Sequence, residues 1–227
     1  MKIGGLLKFS LIDYPGKVAA VIFTQGCNFR CPYCHNPELV EPKRFRDPIP
    51  EEEVLGFLKV RVGQIEGVVV TGGEPTLQKD LIEFLKKIKH LGYPVKLDTN
   101  GSHPDVLREA LRLNLVDYIA MDIKAPLEKY SRLTDLKDCT ERISGSIQII
   151  KNSPITYEFR TTLAPPVVPR EDLFKMASLI KGTKKYRLQR FVPRDNILNK
   201  ELFEEPCGHL SEEEVADLQS IWGIDGN

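Results

Sequence analysis

Six short segments rich in β-branched and apolar residues recur along the chain, and amphipathic stretches separate them. They are KVAAVIFT (17–24), GVVVTGG (67–73), PVKLDTNG (94–101), VDYIAMDIK (116–124), ITYEFRTTL (155–163) and YRLQRFV (186–192). Short apolar runs of this kind read as strands covered on both faces. After the second of them, DLIEFLKKIKHLG sets Leu81, Ile82, Leu85, Ile88 and Leu91 on one stripe, with Gly92 as a stop. Further helices are expected at about 50–62, 104–113, 138–152, 171–181 and 211–222, the last with Ser211 as N-cap ahead of Glu212–Glu214. Strands alternating with helices predict an α/β fold around a parallel sheet. Two architectures satisfy the pattern: a flat doubly wound sheet, or a (β/α)6 barrel of the TIM type left open on one side for want of eight strands. No internal repeat and no low-complexity linker interrupts the pattern, so residues 1–227 are expected to form one domain.

Strand parity sharpens this expectation, because successive side chains point to opposite faces. Val95 and Leu97 oppose Lys96 and Asp98; Ile119, Met121 and Ile123 oppose Asp122 and Lys124; Tyr157 and Phe159 oppose Glu158 and Arg160. Helix-covered faces must be apolar, so the charged faces look inward. Unpaired buried charge is very costly, so such an interior either takes a polar ligand carrying both signs or satisfies itself as an ion-pair network.

Three of the five cysteines crowd one loop, GCNFRCPYCHN, as Cys27, Cys31 and Cys34. The N-terminal stretch has no apolar core followed by a cleavage site, and no apolar run approaches membrane-spanning length, so a cytoplasmic protein is expected. In a reducing compartment, clustered thiols argue for metal ligation or redox chemistry over disulfides. Cys139 and Cys207 stand apart and read as ordinary small residues. Lys plus Arg equals Asp plus Glu, at 32 each, so nothing suggests a nucleic-acid-binding surface. Two metal arrangements remain. Structural zinc wants four closed ligands, which His35 would complete, although adjacent ligands at 34 and 35 are awkward. A cubane iron–sulfur cluster can take three corners from this loop, which leaves the fourth iron open for chemistry.

The pattern C-x-x-x-C-x-aromatic-C directly after a first strand resembles the motif of the radical S-adenosylmethionine enzymes. TGGEP (71–75), DTNG (98–101) and MDIK (121–124) follow at the ends of the next three strands, where α/β barrels build active sites. SLIDYPGK (10–17) and QGCNFRCPYCHNPEL (25–39) are similar to the activases of glycyl-radical enzymes, in particular those of anaerobic ribonucleoside-triphosphate reductase. The resemblance spans about residues 4–193; residues 194–227 carry none of its motifs.

The resemblance implies a [4Fe–4S] cluster on Cys27, Cys31 and Cys34, with S-adenosylmethionine chelating the fourth iron. One electron from the cluster then yields methionine and a 5′-deoxyadenosyl radical, which abstracts hydrogen from a glycine of a partner enzyme. A flavodoxin or ferredoxin is the electron donor that the resemblance implies. Tyr33 is expected near the adenine, and Asn36 at the ligand or shaping the loop. Gly72 and Gly73 are expected to allow close approach to the methionine amino group, with Glu74 accepting from it; otherwise the doublet is simply a strand-ending turn. Asp98 and Asp122 offer carboxylates to the ligand, and Lys124 and Arg160 offer positive charge. Some activases carry a histidine on the last barrel strand; here Gln189 or Phe191 would fill that space, which leans away from the formate-lyase type. His35 reads equally as a loop hydrogen-bonder, and His90, His103 and His209 as surface or structural residues. Two rival functions are a radical enzyme acting on a small molecule, like the short deazaguanine-forming enzymes, and a non-catalytic zinc module.

Overall fold

In the computed structural model, which describes residues 1–203 apart from Pro166, Lys184 and Pro193, together with Glu213, one sheet of seven strands runs in chain order. The strands are β1 (Ile3–Ser10), β2 (Ala19–Thr24), β3 (Gly67–Gly72), β4 (Val95–Thr99), β5 (Tyr118–Asp122), β6 (Thr156–Leu163) and β7 (Tyr186–Arg190). Strands β2 to β7 are parallel, and β1 runs antiparallel to β2. Helices α1 (Pro37–Val40), α2 (Glu51–Val60), α3 (Leu81–His90), α4 (Pro104–Arg112), α5 (Cys139–Lys151) and α6 (Arg170–Leu179) fill the crossovers. The expected helix at 211–222 lies outside the described residues, Glu213 excepted.

The strand order decides between the two architectures. A doubly wound sheet needs a point where the order reverses. Here it never does, and right-handed crossovers taken always in one direction leave every helix on one face. Among the described residues β1 does not pair with β7, so the sheet does not close into a full barrel. Among the described residues no helix is long and apolar enough to cross a membrane.

Packing follows parity. Ile22, Val70, Leu97, Met121 and Phe159 face the helices and share one core with Leu58, Leu85, Leu107, Ile147 and Met176. Each such fully buried aliphatic or aromatic side chain contributes roughly 2 kcal/mol. A second, smaller apolar group, Val21, Val69, Tyr118 and Ala120, lies on the inner face and closes on Tyr14. Tyr14 starts a turn in which Lys17 N–H donates to Tyr14 O at 3.1 Å. Pro15 occupies the second position and Gly16, at φ +70°, the third, the residues a type II turn requires. The Tyr14 ring then stands edge-on to Tyr118, 5.9 Å between centroids, and floors the barrel beneath the charged layer.

Strand β1 is absent from the sequence-based expectation. Two register shifts interrupt its pairing and Gly4 and Gly5 sit inside it, so no clean two-residue period survives. A Cβ on Gly4 would crowd the Leu39 and Gln25 side chains, which would have to shift to admit it.

Candidate active site

The loop from Gln25 to Asn36 leaves the C-terminal end of β2 and carries all three clustered cysteines. None is in a disulfide; Cys31 is buried, and Cys27 and Cys34 are half-buried. Burial pushes each thiol upward, Cys27 to about 12. Against that, Phe29 N–H points at Cys27 Sγ (3.4 Å), Asn36 N–H bonds Cys34, and the Lys124 ammonium favours all three thiolates. Cys31 takes the Tyr33 hydroxyl in place of an N–H group, and three buried soft sulfur donors of this kind fit an iron–sulfur cluster, whose iron would supply the further positive charge that their thiolates need.

The first half of the loop is tied inward by residues that the sequence reading did not single out. Asn28 donates to Ser102 Oγ (2.8 Å) and accepts from Asn100 Nδ2 (2.9 Å), and its carbonyl accepts from Thr134 Oγ1 (2.7 Å). Arg30 Nη1 donates to the carbonyls of Cys27 (2.8 Å) and Phe29 (2.9 Å). Asn, Ser and Thr are common in loops, and no spacing in the chain links positions 28, 102 and 134.

Gly72 and Gly73 have a reason within the chain itself. A Cβ on Gly72, whose φ is +123°, would lie 2.2 Å from Thr24 N; one on Gly73 would lie 2.1 Å from Gly26 O. The end of β3 therefore touches the root of the cysteine loop backbone to backbone. Glu74 is 1% exposed and accepts four hydrogen bonds: from Thr76 N–H (3.0 Å), Thr76 Oγ1 (2.5 Å), Thr99 Oγ1 (2.8 Å) and Asn100 N–H (2.7 Å). Burial outweighs these donors and raises its pKa. Its carboxylate thus ties together the loops after β3 and β4, and Glu74 also lines the cleft that holds Cys27 and Cys31.

The charged inner face is brought together as expected, and it pairs internally. Arg160 Nε donates to Asp122 Oδ1 (2.9 Å) and its Nη1 to Asp98 Oδ2 (3.1 Å), while Lys96 Nζ reaches Asp98 Oδ1 (2.5 Å). Lys124 Nζ stands 3.4 Å from Asp122 Oδ2, the longest of these pairs. Burial alone would raise the Asp122 pKa, but Arg160 and then Lys124 lower it to about 2. Burial opposes the Lys124 charge as well, yet Asp122 and the thiols raise its pKa above the usual lysine value. Lys96, Asp98, Asp122 and Arg160 thus pair with one another, and Lys124 is the most loosely held of the group. Lys124 and Asp122 also line a cleft with Cys27, Cys31, Gly72 and Gly73. A larger cavity of about 510 Å³ lies between α2 and α3, on the outer helix layer and away from the thiols.

His35 does not join the cysteines. Its Nε2 donates to Val192 O at 2.9 Å and its ring stacks on Phe191, 5.3 Å between centroids. Among the described residues no three His, Cys, Asp or Glu side chains are grouped to hold a single metal ion, so the Cys3His arrangement is not formed. A cubane needs no such convergence, because its thiolates bind separate corners. Tyr33 is buried edge-on against Phe191, and Phe191 is itself fully buried behind the loop. Gln189, which pairs with Thr162 two residues beyond the Arg187–Arg160 pair, keeps the inward side of β7. Asn36 precedes α1 without a side-chain cap. Cys139 is buried at the start of α5 within the helix-side core. His90 is exposed, while His103 joins Ser102 and Thr76 through Nδ1. Cys207 and His209 lie outside the described residues.

A model of the radical SAM superfamily matches residues 21–180. A Methanocaldococcus jannaschii protein named as a glycyl-radical enzyme activating enzyme is 39% identical, over 85% of this chain and 81% of its own. The pyruvate formate-lyase-activating enzyme of Streptococcus mutans is 32% identical over 84% and 76%, and the 7-carboxy-7-deazaguanine synthase of Thermococcus kodakarensis 31% over 76% and 72%. Among solved structures, a radical SAM methyltransferase from Sphaerobacter thermophilus superposes with a TM-score of 0.67 at 16% identity, covering 94% of this chain and 66% of that one; it speaks for the fold alone.

Proposed function

Because the chain belongs to the radical S-adenosylmethionine superfamily, in its glycyl-radical-enzyme-activating branch, we propose that it installs a radical on a glycine of anaerobic ribonucleoside-triphosphate reductase. The protein is an enzyme whose cofactors are a [4Fe–4S] cluster and S-adenosylmethionine. We assign the cluster to Cys27, Cys31 and Cys34. The observation that carries this assignment is the grouping of three unbridged thiols in one loop, Cys27 and Cys31 lining a cleft with Gly72, Gly73 and Lys124 and Cys34 feeling the Lys124 charge, with His35 engaged elsewhere. When bound, the reduced cluster supplies the electron that splits a carbon–sulfur bond of S-adenosylmethionine.

The chain's own groups bind and orient. Lys124, held only loosely by Asp122, turns its ammonium to the cofactor's carboxylate, and Asp122 keeps Arg160 as its partner meanwhile. Gly72 and Gly73 leave the β3 end bare of side chains, so the cofactor's amino group meets backbone there. Glu74, on the wall of the same cleft, fixes that backbone to β4 and offers negative charge to the amino group. Asp98 holds Lys96 and Arg160 in place, and Gln189 faces the adenosine side. Tyr33, whose hydroxyl bonds Cys31, stands at the thiols on the adenine side, and the Asn36 N–H steadies Cys34. Among the described residues β1 and β7 are unpaired, which suits entry of a polypeptide loop from that side, and a flavodoxin or ferredoxin supplies electrons.

The test is anaerobic reconstitution, reduction, and mixing with candidate reductases and formate-lyases in the presence of S-adenosylmethionine. A glycyl radical detected by EPR on the reductase alone supports the reading; one on a formate-lyase alone replaces the partner. The similarity to a deazaguanine synthase favours a second reading, a small-molecule substrate. It predicts cofactor cleavage coupled to turnover of a small heterocycle, with no protein radical.

A further inference from the structure

The chain beyond β7 turns back across the outside of the cysteine loop. Phe191 is fully buried, stacked on His35 and tilted against Phe203 with 4.7 Å between centroids, and Val192 O accepts from His35 Nε2. Farther along, Leu198 N–H donates to Cys34 O and Asn199 N–H to Pro32 O, each at 3.0 Å. Asn196 Nδ2 reaches Glu38 Oε2 at 3.2 Å, and Ile197 is buried alongside. None of these residues lines the cleft with the thiols.

The loop's two halves are thus held by different parts of the fold. Asn28, with Ser102, Asn100 and Thr134, fastens the half that bears Cys27. The half from Pro32 to Glu38, which bears Cys34, takes its outer hydrogen bonds from the chain after β7. A loop with few bonds of its own opens at low free energy, and groups behind a metal ligand set how well that ligand is presented.

We propose that the described residues of 191–203, Pro193 aside, form a clamp that fixes Cys34 relative to Cys27 and Cys31 and screens that side of the iron–sulfur cluster from solvent. The clamp rests on the assignment of those three cysteines as cluster ligands. Leu198 N–H and the Phe203 ring are its positioning groups; neither touches the reacting atoms.

The test uses the full chain, reconstituted anaerobically, in two pairs of variants. Leu198→Pro removes the N–H that reaches Cys34 O, and Leu198→Ala keeps it; Phe203→Ala removes the ring, and Phe203→Tyr keeps it. The readouts are the rate at which an iron chelator bleaches the cluster's visible absorption and the EPR line shape of the reduced cluster. Leu198→Pro and Phe203→Ala should lose cluster on the order of tenfold faster, with an altered line shape, while their partners match the wild type. If Leu198→Pro does not fold, the Phe203 pair decides. A wild type that holds its cluster, with Phe203→Ala as slow to bleach as Phe203→Tyr, overturns the clamp alone. A wild type that takes up no cluster overturns the ligand assignment and the clamp with it.

Discussion

Glu74 Oε2 accepts the N–H of Asn100 at 2.7 Å, and this one bond joins the end of β3 to the end of β4. The other oxygen collects Thr76 and Thr99, so a single buried carboxylate sets the relative position of two loops that border the thiols. Removing it leaves two hydroxyls and two N–H groups without their acceptor. Glu74→Ala should therefore cost about 3 kcal/mol or more of unfolding free energy, and Glu74→Gln, which keeps one acceptor oxygen, clearly less. Urea unfolding of the apo-protein measures both. Equal stability of wild type and Glu74→Ala would show that the bonds contribute nothing net.

Replacing any one of Cys27, Cys31 or Cys34 with Ala should abolish reductive cleavage of S-adenosylmethionine. Cys139 is packed among helix-side residues, so Cys139→Ala should keep full cleavage and lose about 1 kcal/mol of stability. Formation of 5′-deoxyadenosine after anaerobic reduction is the measurement. Cleavage surviving in Cys31→Ala would contradict the ligand assignment.

Lys124→Ala should weaken binding of S-adenosylmethionine by roughly tenfold to a hundredfold, the loss expected for one charged hydrogen bond. Cluster content should stay near the wild-type level. Equilibrium binding to the reconstituted enzyme, alongside iron analysis, separates the two effects. An unchanged affinity would leave Lys124 as no more than the partner of Asp122.

Asp122 has an ordinary pKa of 3.8 and a folded value of about 2, set against burial by Arg160 and Lys124. A depressed carboxylate binds its proton more readily in the unfolded chain, so its contribution to stability is present in full above the unfolded value. The contribution fades as pH falls from about 5 toward 2. The free energy of unfolding of the apo-protein should therefore fall across that window. Asp122→Asn should be less stable at neutral pH yet show a shallower acid slope. Identical slopes for the two proteins would place the linkage on other groups.

Strands β2 to β7 were legible because each is a short apolar run bounded by turn residues, and parity along β4, β5 and β6 foretold which charges face inward. The cysteine spacing was equally plain, since ligands within one loop are close in space whatever the rest of the chain does. Strand β1 was not legible: its register shifts and glycines erase the alternation, and only pairing with β2 makes it a strand. His35 was ambiguous for a different reason. Its role depends on Val192 and Phe191, more than 150 positions away, and nothing local announces them.

Local chemistry thus determined which residues form strands β2 to β7, which thiols cluster, and which side of the barrel is charged. The tertiary structure alone decided that Gly72 and Gly73 meet Thr24 and Gly26, that Glu74 ties two loops, and that Arg160 joins Asp98 to Asp122. Each of these is a contact between segments distant in the chain. Its partner is selected by strand order and register, which a one-dimensional pattern does not specify.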